Sequence, residues 1–96
     1  MTDQERVFLW AEQAVAEIVL DIDESLESVW REVTPADLGL NPDNWLLASK
    51  RMVARFNALA EGVTAISLSA PSRAQYRSSD LIEFVVAIAD AAEQVL

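Results

Sequence analysis

Asp21, Asp23 and Glu27 alternate along the chain with Ser25 among them, and Glu32 follows at the spacing of the last ligand in an EF-hand calcium loop. Oxygen side chains in that order could hold a hard cation. The sixth place of such a loop needs glycine for its positive φ, and here it carries Leu26, which continues an apolar stripe instead. The carboxylates therefore read as a solvated acidic face, and no metal is expected. Serines at 67, 69, 72, 78 and 79 invite a nucleophile, but the chain has no histidine, and its only lysine, Lys50, falls in a helical pattern. Turn and cap roles account for them better. Nothing marks a cleft that would split two carboxylates into a general acid and a general base. With no cysteine either, thiolate, disulfide and ordinary zinc or haem ligand sets are excluded, so binding rather than enzyme catalysis is expected.

Lys50, Arg51 and Arg55 form the one basic concentration, and Leu47 points into the same face. Either this is an ordinary solvated face paired with the acidic first helix, or it docks a partner. Around it the chain is acidic: sixteen Asp and Glu against seven Lys and Arg give a net charge of −9. Residues 1–40 hold −8 of that, residues 41–62 are locally +1, and residues 63–96 carry −2. Nucleic acid and anionic membrane surfaces would be repelled at long range, whereas a basic protein would be attracted. No signal-peptide pattern opens the sequence and no long window is free of charge, so a cytoplasmic location is expected.

The elements that position these residues read as helices. With 96 residues, 52% of them hydrophobic, the chain can bury one modest core, and a single helical domain over residues 1–96 is expected. Thr2 and Glu5 have the spacing of a capping box. Val7, Ala11, Ala14, Ile18, Ile22, Leu26, Val29 and Val33 then recur at three- and four-residue intervals, with Phe8, Val15, Val19 and Trp30 widening the stripe. This suits one helix of about thirty residues or two, and clustered capping residues at 21–25 favour the break. Thr34 and Pro35 start a short turn that Gly39 closes, and Asn41-Pro42 opens a helix from Pro42 to Glu61, ended by Gly62. Residues 64–69 alternate enough for a short extended loop, one helical turn is expected around Arg73 to Tyr76, and Asp80 with Glu83 starts a largely buried last helix.

Asp37-Leu38-Gly39-Leu40-Asn41-Pro42 is similar to the Asp-Leu-Gly-x-Asp-Ser turn before the second helix of acyl carrier proteins, and the spacing runs on without a gap from Leu38 to Phe56. The segment from Tyr76 to Phe84 looks like the one that leads into that family's last helix. Over about half its length the chain thus resembles the acyl carrier and peptidyl carrier family. The resemblance implies an all-α fold, a small four-helix bundle. It also places Pro42 where the family's serine carries 4′-phosphopantetheine, so no cofactor is expected there. Asp43 stands for the family's usual Leu, and Lys50, Arg51 and Arg55 replace its acidic recognition helix.

The function expected from these residues is that of a non-catalytic carrier-like module, an adaptor or scaffold. It would bind a protein partner through Asn41, Pro42, Asp43, Leu47, Lys50, Arg51 and Arg55. Two alternatives stay open. One is a genuine acyl or peptidyl carrier in a variant pathway, with 4′-phosphopantetheine on another serine; the other is an acidic inhibitor or immunity-type protein that neutralises a basic partner. A homodimer is also compatible with the sequence, because Leu9, Trp10 and Leu20 lie off the main stripe of the first helix.

Overall fold

The computed structural model describes residues 2–64, 66 and 80–95, with only the backbone of Val95. Among them are three α-helices, α1 (Asp3–Ile22), α2 (Pro42–Leu59) and α3 (Leu81–Val95), two short 3₁₀ turns, Glu24–Leu26 and Trp30–Glu32, and no strand. The fold is all-helical. The expected helical turn at residues 73–76 and most of the expected extended loop at 64–69 lie outside the described residues.

Thr2 starts α1 by accepting a hydrogen bond at Oγ1 from the Glu5 amide at 3.2 Å, and Asp3 and Glu5 place negative charge at the positive end of the helix dipole. The helix stops at Asp23, whose backbone is extended (φ −152°) and whose carboxylate accepts from the Ser25 amide at 3.0 Å. The apolar stripe is therefore interrupted at the expected break, where side chains able to bond their own backbone cluster, but two separate 3₁₀ turns follow it in place of a second helix. The interruption rearranges the stripe. Val7, Ala11, Ala14, Val15, Ile18 and Val19 are buried, whereas Phe8 and Ile22 stand at the margin and Val29, beyond the break, is exposed.

Between the 3₁₀ turns and α2, Thr34 and Asp37 cap each other. The Asp37 amide donates to Thr34 Oγ1 and the Thr34 amide to Asp37 Oδ2, each at 3.1 Å, over a fully buried Pro35. Gly39 follows with φ +77°, and since nothing lies near the place of a Cβ, backbone conformation rather than crowding is what favours glycine. Asn41 caps α2, its Oδ1 accepting from the Asn44 amide at 2.8 Å, and Pro42 takes the first helical position, where a missing amide hydrogen costs nothing. The helix ends at Leu59, two residues earlier than the sequence suggests, because Ala60 leaves helical geometry ahead of Gly62 at φ +85°.

α1 packs against both α2 and α3 and forms the middle of the core. Trp45, Ala48, Met52 and Phe56 of α2 and Leu81, Val85, Ile88, Ala89 and Ala92 of α3 complete it. Trp45 meets Phe84 edge to face, with ring centroids 5.2 Å apart, which joins the first turns of α2 and α3. The Leu81 amide donates to the Val33 carbonyl at 2.9 Å and fixes the start of α3 against the connection before α2. Trp30 is buried beneath the Arg31 guanidinium, which lies 4.7 Å from its ring centroid and pairs with Glu12 at 2.9 Å. Replacing the fully buried Phe56 by alanine should lower unfolding free energy by about 3–5 kcal/mol in urea titration. Leu47→Ala, at an exposed position of the same helix, should stay within about 0.5 kcal/mol.

Candidate functional site

All seven candidate docking residues fall on α2 or at its cap, but the fold gives them unlike surroundings. The Asn41 side chain is engaged in capping, and Pro42 is half-buried at the first turn. Arg55 Nε donates to Glu17 Oε2 at 2.6 Å, with a second, longer bond from its guanidinium to Oε1 at 3.4 Å. One turn earlier on α2 and one turn later on α1, Arg51 pairs with Asp21 at 3.2 Å. The two rungs follow from matching four-residue spacings on antiparallel helices: 17 and 21 face 55 and 51. Two of the three cations in the basic cluster thus have their counter-ions within the chain.

These pairs are exposed on the flank of the α1–α2 contact, so salt and water screen them and they contribute orientation more than stability. The Glu17 carboxyl is still held below its ordinary pKa, first by the hydrogen bond from Arg55 and then by one from Gln13, against a smaller opposing effect of desolvation. A carboxyl with a lowered folded-state pKa stabilises the fold above its unfolded pKa, and that stabilisation is lost as pH falls through the folded value.

The remaining residues are different. Asp43, Leu47, Lys50 and Ala54 are exposed at spacings of four, three and four, along the line opposite the buried Trp45, Ala48, Met52 and Phe56. Leu47 is 60% exposed, the highest value among the large exposed hydrophobic residues described. Among the described residues neither Asp43 nor Lys50 forms an ion pair.

Two carboxylates of the calcium-loop pattern have other uses. Asp21 faces Arg51, and Asp23 accepts from both the amide and the hydroxyl of Ser25, at 3.0 and 2.6 Å. Among the described residues no group of three or more Asp, Glu, His or Cys is placed to hold a metal. At position 42 a 4′-phosphopantetheine arm has no attachment atom, because the pyrrolidine ring carries no hydroxyl. The serines at 67, 69, 72, 78 and 79 lie outside the described residues.

Sequence reasoning missed one polar arrangement. The Asn57 carboxamide accepts from the Ile66 amide and donates to the Ile66 carbonyl, both at 2.9 Å, so that one side chain of α2 satisfies both backbone groups of a single residue. A lone asparagine inside an amphipathic helix carries no periodic signal that would announce this. Two buried polar atoms, Trp45 Nε1 and Thr64 Oγ1, have no hydrogen-bond partner among the described residues. No family model, curated protein or solved structure matches the chain.

Two outcomes are expected. In thermal melts between pH 7 and pH 3, Glu17→Gln should be slightly less stable than the parent near neutrality and should lose less stability on acidification, since the group that takes up the proton is gone. After coexpression with a broad-specificity phosphopantetheinyl transferase, the intact mass should be that of the unmodified chain; an increase by the arm's mass would make another serine a carrier site.

Proposed function

We propose that this protein is a non-catalytic, carrier-like protein-binding module, an adaptor or scaffold, which docks a partner through the outer face of α2. The observation that carries the reading is the line of Asp43, Leu47 and Lys50, an apolar side chain 60% exposed between two charges without an ion pair among the described residues, on a helix whose opposite side is packed. A flat helical ridge with an apolar centre and charged neighbours suits partner recognition better than substrate conversion. Arg51 and Arg55 become supporting residues at the edge, already oriented by Asp21 and Glu17. In this reading the whole chain forms a small four-helix bundle of the carrier type, and the protein works in the cytoplasm.

A second reading has its own support. Asp23, Glu24, Glu27 and Glu32 are exposed around the 3₁₀ turns and form no ion pair among the described residues, which suits an inhibitor of a basic protein. The two are separable in one experiment. With the partner isolated by affinity capture, Leu47→Asp should weaken binding at least about ten-fold by calorimetry, with an unchanged circular dichroism spectrum. Binding that ignores Leu47→Asp but falls steeply between low and physiological salt would remove the α2 face and leave the acidic surface.

A further inference from the structure

We propose that the partner on the outer face of α2 is a second copy of this chain, the two helices crossing antiparallel about a two-fold axis beside Leu47. The inference rests on the reading of that face as the docking surface and names its occupant. The reason is the order of the exposed residues. Asp43 lies four residues before Leu47 and Lys50 three after it, so an antiparallel copy centred there sets residue 43 of each chain opposite residue 50 of the other. Each crossing then makes two opposite-charge contacts flanking two leucines. Both charges are free to make them, because neither is paired within the chain among the described residues.

The surface would bind a like copy more readily than a uniformly acidic or basic protein, for which one of the two charges always repels. The net charge of −9 on each copy opposes approach at a distance, but that repulsion is screened beyond roughly 8 Å at physiological ionic strength. An interface of one helix per copy belongs with the weak, transient class below roughly 1,200 Å². The dimer therefore forms reversibly.

Sedimentation equilibrium at physiological salt tests this with two exposed-site variants, Asp43→Lys and Lys50→Asp. The parent should show a monomer–dimer equilibrium below about 1 mM, and each variant alone should weaken it at least about ten-fold, since two like-charge contacts replace two attractive ones. An equimolar mixture of the two variants should regain the dimer, because one now presents two cations to the other's two anions. A parent monomeric up to about 1 mM, variants that dimerise like the parent, or a mixture that stays monomeric would each overturn the second copy as occupant. If in addition a foreign partner is still released by Leu47→Asp, the docking face stands and only its occupant is wrong; if not, the face itself fails.

Discussion

Six side chains along one face of α1, from Val7 to Val19, are removed from water by two other helices at once, and nearly every other feature follows from that shared contact. A helix of 20 residues can serve two neighbours only if its apolar stripe is broad, and the pairing of Ala11 and Ala14 with Val15, Ile18 and Val19 provides both breadth and close approach. The same stripe limits the helix. Carried on to Val33 without a break, it would have produced a rod of about 45 Å, longer than the 34 Å principal extent of the molecule. The stop at Asp23 instead folds Trp30 back into the core and brings Val33 beside the start of α3.

Most of this was legible because it is local. Thr2, Asn41 and Gly62 punctuate the helices where their chemistry demands it, and the buried residues of α2 and α3 lie on the arcs that periodicity picks out. Two kinds of feature were not legible. Phe8 and Val29 read as core by spacing but stand at the surface, because spacing gives the direction of a side chain and not whether a neighbour is there to cover it. The Asn57 clamp on Ile66 links residues through a turn whose path no pattern of hydrophobicity encodes.

The docking candidates show the same division. The sequence grouped Lys50, Arg51 and Arg55 by proximity and sign, and left open whether the acidic first helix would meet them. Helix packing separates them by angle: Arg51 and Arg55 turn toward α1 and find Asp21 and Glu17, while Lys50 turns away with Asp43 and Leu47. The matching four-residue intervals on the two helices were visible beforehand, but their register depends on the crossing, which only the three-dimensional structure supplies. A charge cluster in sequence is thus a weaker guide to function than the residues left over after internal pairing.

Because Asn57 grips Ile66 by its backbone alone, the two ends of that contact differ in how freely they can drift. Position 66 needs only an apolar side chain that fits the space, since any residue but proline offers the same amide and carbonyl. At position 57, aspartate would lack the donor, leucine would lack both groups, and serine would fall short, so one helical residue bears the selective burden for both partners. Sequence divergence in this protein would therefore be recorded at 66 and silenced at 57.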